Sequence, residues 1–166
     1  MEEISATASQ ALSEVREIPY NLRPYQLDRL GLTKAIEGIV KKASGASTIA
    51  FTAEIDEIDN AFPKDSEINF YRIVQESVNN VIKHSEATEA SVAVRHTTGG
   101  VVLTIRDNGK GFTPGATESH RGAGGFGLIG ITELAQLLGG KPAVHSAPGQ
   151  GTVISIEIPL DDTHGK

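Results

Sequence analysis

The sequence lacks several residue types, and each absence excludes a class of chemistry. Its 166 residues contain no cysteine, which excludes disulfides, thiolate catalysis and cysteine-based zinc sites. No apolar run approaches the roughly 18 residues of a membrane-spanning helix, and the N-terminus has no signal-peptide pattern. Lys and Arg number 15 against 21 Asp and Glu, a net charge of −6 that argues against a general nucleic-acid binder. We therefore expect a soluble, cytoplasmic chain without direct nucleic-acid or membrane contact.

Glycine is the residue type that is unevenly placed. The apolar content of 39% and the charged content of 22% are ordinary for one globular domain. Of the 18 glycines, however, 12 lie between Gly109 and Gly151, where an even spread would put about five. This stretch is where we expect positive φ angles or close approach of the backbone to a ligand.

Hydrophobic periodicity predicts an α+β fold. Gly45 is a plausible helix C-cap, residues 54–60 form an acidic loop, and prolines mark a joint at 19–25. The mixture predicts a two-layer α/β sandwich, in which helices cover one face of a mainly antiparallel sheet. The predicted helices are 2–18, 26–44, 64–84 and 127–138, and the predicted strands are 48–54, 90–96, 101–106, 142–146 and 153–158.

The predicted helix at 64–84 has a polar side. Glu76, Asn80 and Lys83 lie opposite an apolar arc, with Arg72 nearby, and Glu76 and Asn80 are i, i+4 neighbours. An amide oxygen can ligate Mg²⁺, and a carboxylate can orient or deprotonate a water or hydroxyl. A solvated helix face would give the same pattern, so this feature does not decide alone. The apolar arc consists of Phe70, Val74, Val78, Val81 and Ile82.

Three glycine clusters suggest ligand contact. Asp107 follows a strand and opens a D-x-G-x-G turn, where a carboxylate could accept a hydrogen bond from an exocyclic amine such as that of adenine, although a tight turn fits equally well. The cluster at 122–128 precedes a predicted helix, whose free N–H groups could bind phosphate or could simply follow a flexible loop. No strand precedes it, which excludes a Rossmann motif. The third cluster, 149–152, also fits a β-turn.

Together these segments resemble the ATPase superfamily of gyrase, heat-shock chaperones, histidine kinases and MutL, with the spacing of the histidine-kinase branch. Residues 69–84 look like its N box, 107–111 its G1 box, 125–128 its G2 box and 149–152 its final glycine box. The resemblance spans about residues 48–160 and implies a Bergerat-type ATP-binding fold. Residues 5–40 resemble the end of the dimerisation and phosphotransfer helices in the nitrate-sensor-like subfamily of histidine kinases.

The resemblance assigns roles to these residues. Glu76 would be the general base or position a water, Asn80 would ligate Mg²⁺, and Lys83 and His84 would approach the phosphates of ATP. The ATP lid would span 113–125. The resemblance also implies residues that bind ATP beside the adenine or at the start of the helix that follows the lid. They are Asp107, Gly109, Gly111, Gly125, Gly127, Leu128 and Thr152.

The implied activity is transfer of the γ-phosphate of ATP to a histidine and then to an aspartate of a response regulator, in a kinase that is a homodimer at full length. Two alternatives stay open: an anti-sigma or switch protein-serine kinase, and a non-catalytic nucleotide-sensing module. The implied cofactors are ATP and Mg²⁺. The full-length protein could be membrane-anchored.

The phosphoacceptor histidine of that subfamily has no counterpart here. None of the five histidines lies in the predicted helix at 2–18, and none is followed by an acid. We therefore expect a fragment that binds ATP without phosphorylating itself on the family histidine. Its expected parts are the end of a dimerisation helix with the joint (1–24), an ATP-binding domain (25–162) and a tail (163–166). The apolar stripe of helix 2–18 would pack either on this domain or on a partner helix.

Overall fold

The computed structural model describes residues 24–113 and 125–160. The predicted helix at 2–18, most of the joint, the interior of the predicted lid and the tail lie outside the described residues. A π-helical turn, Val81–Ser85, continues the third helix. The elements are α1 (Tyr25–Leu30), α2 (Leu32–Ala46), β1 (Ala50–Ile55), α3 (Lys64–Asn80), β2 (Glu89–Thr97), β3 (Gly100–Asp107), α4 (Gly125–Leu137), β4 (Lys141–Ser146) and β5 (Thr152–Pro159).

The five strands form one sheet in the order β1-β2-β3-β5-β4. β1 pairs with β2 in parallel, and the other three pairs are antiparallel. β2 and β3 form a hairpin whose last pair is Thr97 and Gly100, as the sequence predicts. The mixed, mainly antiparallel sheet confirms the predicted α+β class.

One face of the sheet carries the core. Alternate strand residues such as Val92, Leu103 and Ile156 are fully buried, as the period of two in a strand requires. Their neighbours on the opposite face, such as Thr104 and Arg106, are half-buried or exposed. α3 contacts both α2 and α4, so the helices form a second layer over the buried face. Within the described helices, no segment combines the length and apolarity needed to cross a bilayer.

The predicted helix at 26–44 is two helices that meet at Gly31. Gly31 has φ +84°, and the Asp59 carboxylate lies 2.9 Å from where a Cβ would stand. The same carboxylate accepts a hydrogen bond from the Thr33 backbone N–H at 2.9 Å and caps α2. The apolar periodicity of residues 26–44 therefore continues across a break in the helix at Gly31, which Asp59, distant in sequence, stabilises.

The prediction that Gly45 caps α2 is wrong. Gly45 lies inside the helix, which continues to Ala46 and ends at Ser47. The Ser47 hydroxyl donates to the Ala43 carbonyl oxygen at 2.8 Å and accepts from the Ile49 N–H at 3.3 Å. Many helices end at a glycine in the left-handed backbone conformation. Here the hydroxyl of Ser47 caps the helix instead.

α3 is confirmed as a long helix, but it is buried on more than one side. Its apolar arc faces the core, with Phe70 and Val74 fully buried. Arg72, predicted near the polar side, is also buried, and both α2 and α4 contact this helix. The polar side is therefore not a simple solvated face.

The end of α3 widens into the π-helical turn. The Val81 N–H is shared between the carbonyl oxygens of Ser77 and Val78, and the Ser85 hydroxyl donates to the Val81 carbonyl at 2.5 Å. Glu86, at φ +55°, ends the turn. Single π-helical turns are frequent at functional sites, where they change the direction of side chains relative to a regular α-helix.

Candidate functional site

A cleft opens between the C-terminal half of α3, the ends of β3 and β5, and the start of α4. The space in and around it that holds no protein atom is about 540 Å³, including open solvent at its mouth. Its apolar lining consists of Val81, Ile105, Phe112, Leu128 and Ile154. Its polar lining consists of Ser77, Asn80, His84, Ser85, Asp107 and Thr152, and Gly111 adds backbone. Residues from four distant parts of the sequence are therefore brought together.

Asp107 stands at the last position of β3, inside this cleft. It is 8% exposed, and its Oδ1 accepts a hydrogen bond from the Gly109 backbone N–H at 2.9 Å. Burial raises the pKa of the Asp107 carboxyl above its ordinary value, because desolvation disfavours the charged form. Hydrogen bonds from the backbone N–H groups of Gly109 and Thr152 act in the opposite direction. A partly desolvated acceptor of this kind suits a ligand that brings its own N–H donor.

The turn after β3 lies directly against the π-helical turn. A Cβ on Gly109 would stand 2.0 Å from the Ser85 carbonyl oxygen, which accepts the Lys110 N–H at 2.7 Å. Asn108 joins the same turn to the start of β2, because its side-chain oxygen accepts from the backbone N–H groups of Thr88 and Glu89. The position of Asp107 is thus fixed from both sides.

Two further glycines allow the backbone to close around the cleft. Gly111 has φ +63°, and a Cβ there would stand 2.1 Å from the Ala147 carbonyl oxygen. Gly151 has φ +71°, and a Cβ there would stand 2.1 Å from the Asp107 carbonyl oxygen. No other residue fits either position without moving the neighbouring strand or turn.

Ser146 links the segment after β3 to the turn before β5. Its hydroxyl accepts from the Phe112 N–H at 2.9 Å and donates to the Gly151 carbonyl oxygen at 2.9 Å. It also lies 2.9 Å from the Thr152 hydroxyl. Thr152, predicted as a site residue, is therefore held by Ser146 beside the carboxylate of Asp107.

The polar residues of α3 and of the π-helical turn divide into two groups. Asn80 and His84 line the cleft, whereas Lys83 is exposed and Glu76 is half-buried one turn before Asn80. Neither Glu76 nor Lys83 is among the described residues that line the cleft. The described residues contain no cluster of three or more acidic or histidine side chains that could hold a metal ion.

The G2-like segment begins α4. Gly125 and Gly127 stand in the first turn of this helix, and Leu128 lines the cleft. The structure therefore places a helix N-terminus, whose first-turn N–H groups have no acceptor within the helix, next to a residue of the cleft wall.

Sequence reasoning missed part of the lining. Period-two alternation along β3 puts Ile105 on the same face as Asp107, and Ile154 is the β5 residue paired with Ile105. Both could have been predicted from the strand pattern, whereas the contact of Ser85 with the β3 turn had no signal in the sequence. The missed lining residues are Ser77, Val81, Ser85, Ile105, Phe112 and Ile154.

The comparisons with known proteins agree with this geometry. Residues 65–162 match the family described as histidine kinase-, DNA gyrase B- and HSP90-like ATPase. Because the match covers more than half of the chain, the chain belongs to this ATPase family, and the matched range contains all of the described cleft residues.

Among curated proteins, the chain is similar to the signal transduction histidine-protein kinase/phosphatase DegS of Brevibacillus brevis. The two are 34% identical over 150 residues, which cover 90% of this chain and 38% of DegS. An uncharacterized sensor-like histidine kinase of Chloroflexus aurantiacus is 33% identical over 165 residues, covering 97% of this chain and 28% of that protein. The chain thus spans about a third of the length of these relatives.

Solved structures show the same fold. The histidine kinase domain of a blue-light activated kinase from Erythrobacter litoralis aligns with a TM-score of 0.64 at 21% identity, covering 81% of this chain and 62% of that one. The ATP-binding domain of PrrB from Mycobacterium tuberculosis aligns with a TM-score of 0.58 at 20% identity, covering 79% of this chain and 95% of that domain.

Proposed function

We propose that this chain is the ATP-binding catalytic domain of a two-component sensor histidine kinase. In the intact protein it would hold ATP so that the γ-phosphate passes to a histidine and then to an aspartate of a response regulator. The observation that carries the proposal is the buried carboxylate of Asp107, held at the end of β3 in a cleft with apolar walls. The names of the curated relatives, both histidine kinases, supply the acceptor class.

The adenine would lie against the β3 end of the cleft. Asp107 accepts a hydrogen bond from the exocyclic amine, and the apolar lining, including Ile105 and Ile154, covers the faces of the ring. Gly109 and Gly111 keep the backbone free of side chains beside the base. Thr152, fixed by Ser146, supports the Asp107 side of the site.

The phosphates would lie toward α3 and α4. Asn80 lines the cleft, and an amide oxygen is the kind of hard donor that fits Mg²⁺, so Asn80 would hold the ion. When bound, the ion supplies positive charge that neutralises the phosphates. Glu76, one turn away, orients or deprotonates a water or hydroxyl. His84 and Lys83 approach the phosphates from the π-helical turn.

The start of α4 would complete the phosphate site. The first-turn N–H groups near Gly125 and Gly127 face no earlier helical turn and can donate to phosphate oxygens. Leu128 then follows as part of the apolar wall.

The partners follow from this activity. They are a response regulator, which supplies the aspartate, and a second copy of the kinase at full length. The site of action is the cytoplasm, where ATP is available, and the net charge of −6 argues against general nucleic-acid binding.

The test is a chimera in which this chain replaces the matching part of the Brevibacillus brevis relative. Incubated with γ-labelled ATP, the chimera should gain phosphate that is labile in acid and stable in alkali, as expected of phosphohistidine. Asp107→Asn should abolish the label, while Asp65→Asn, an exposed control on α3, should keep it. Acid-stable label would indicate a serine kinase, and absence of label in a chimera that binds ATP would overturn the kinase proposal.

A further inference from the structure

The cleft lining contains three hydroxyl groups, and two of them are used inside the protein. The Ser85 hydroxyl donates to the Val81 carbonyl oxygen, and the Thr152 hydroxyl lies 2.9 Å from that of Ser146. Ser77 differs. It is 0% exposed, and its Oγ has no hydrogen-bond partner among the described residues.

This state of Ser77 is unusual for its position. A serine inside a helix commonly bonds to the carbonyl oxygen four residues earlier, and buried polar groups are nearly always paired. Ser77 instead lies in the wall of the cleft with Asp107 and Asn80, and its Oγ has no partner among the described residues. A buried hydroxyl is costly without a partner, so a partner brought by the ligand would remove that cost.

We propose that the Ser77 hydroxyl is a second base-recognition group of the nucleotide site, which donates to a ring nitrogen of adenine directly or through one water. This inference rests on the proposed function. On adenine, the exocyclic amine that Asp107 would accept from is flanked by ring nitrogens that only accept hydrogen bonds. A hydroxyl can supply the donor that the carboxylate of Asp107 lacks. The two side chains would thus recognise the donor and the acceptor edges of the same base.

The variant Ser77→Ala separates this role from a structural one. Alanine is a better helix former than serine and leaves no unpaired hydroxyl, so the unliganded variant should be at least as stable as the unsubstituted chain. Its affinity for ATP and for ADP should fall equally, about three- to tenfold, which is the usual net effect of one hydrogen bond. Ser66→Ala is the matched control, since Ser66 lies on the same helix about 16 Å away by helical rise.

Calorimetric titration with ATP, ADP and the 1-, 3- and 7-deaza analogues of ATP tests the proposal. The effect of Ser77→Ala should vanish for the analogue that lacks the partner nitrogen and persist for the others. An affinity for ATP unchanged by Ser77→Ala overturns the inference alone. So does an effect that stays undiminished for all three analogues, or one on ATP that is absent for ADP. If the unsubstituted chain binds no ATP, the proposed function falls, and the inference falls with it.

Discussion

The Lys110 backbone N–H donates to the carbonyl oxygen of Ser85 over 2.7 Å. This hydrogen bond joins two segments of the cleft wall. One is the turn that follows Asp107, the last residue of β3, and the other is the π-helical turn that contains His84. The two sides of the cleft therefore meet backbone to backbone, and a side chain at Gly109 would separate them.

Gly109→Ala should destabilise the chain and weaken ATP binding together. The new Cβ would stand 2.0 Å from the Ser85 carbonyl oxygen, so one of the two turns has to move. We expect a loss of about 1–3 kcal/mol in the free energy of unfolding, as for overpacked sites, measured by urea denaturation.

Gly45→Ala is the matched control for this substitution. Gly45 lies inside α2, and no atom lies within 4 Å of the position that a Cβ would take, so alanine should raise the free energy of unfolding by about 0.5–1 kcal/mol. Equal effects of the two substitutions would contradict the importance of the contact between Gly109 and Ser85.

Ser146→Ala should loosen the Thr152 side of the cleft. It removes the acceptor of the Phe112 N–H and the donor to the Gly151 carbonyl oxygen. Leaving such partners unsatisfied costs about 1–3 kcal/mol, and the dissociation constant for ATP should rise. Ser155→Ala, on the opposite face of β5, should change neither quantity measurably. A neutral Ser146→Ala in both assays would contradict the account of this link.

Asn80→Ala should abolish the gain in ATP affinity that Mg²⁺ provides, because the proposed protein ligand of the ion is lost. The neighbouring Asn79 is exposed on α3, so Asn79→Ala is a control of the same composition. The measurement is calorimetric titration with ATP in Mg²⁺ and in a chelator. Asn79→Ala should keep the Mg²⁺ effect, and an effect that survives in Asn80→Ala would place the ion elsewhere.

Asp107 should make the unliganded chain less stable as the pH rises. Its raised pKa means that the folded chain binds more protons than the unfolded chain between the ordinary and the raised pKa. Its contribution to the free energy of unfolding is therefore fully present below the ordinary pKa and is lost as pH rises through the raised one.

Urea denaturation from about pH 4 to pH 8 checks this sign. Asp107→Asn does not titrate, so its stability relative to the unsubstituted chain should increase with pH over the raised range and then level off. A difference that moves in the opposite direction would mean that the hydrogen bonds from Gly109 and Thr152 outweigh burial.

Much of the fold could be predicted because it rests on local periodicity. The core strands alternate with a period of two, and Phe70, Val74 and Val78 follow a helical period, so the layers could be predicted from the sequence. The break at Gly31 could not, because it depends on the carboxylate of Asp59, which is distant in sequence. The end of α2 was missed because the Ser47 hydroxyl replaces the expected glycine cap.

The candidate site also contains residues that could be predicted from the sequence and residues that could not. Asn80, Asp107 and Thr152 could be predicted because they stand in short motifs whose order and spacing resemble a known family, and all three line the cleft. The roles assigned to Glu76 and Lys83 stay predictions, since neither is among the described lining residues. The part played by Ser77 depends on which hydroxyls find partners in the folded chain, and no sequence pattern reports that.

The most direct test of the central claim is the thermal stability of this chain with ATP and Mg²⁺, for the unsubstituted protein, Asp107→Asn and Asp65→Asn. ATP at about 100 times its dissociation constant should add roughly 2.7 kcal/mol of stability. In a domain of this size, that corresponds to a rise of several degrees. The account predicts this rise for the unsubstituted chain and Asp65→Asn, and its loss in Asp107→Asn. No rise at millimolar ATP, or an equal rise in Asp107→Asn, would contradict it.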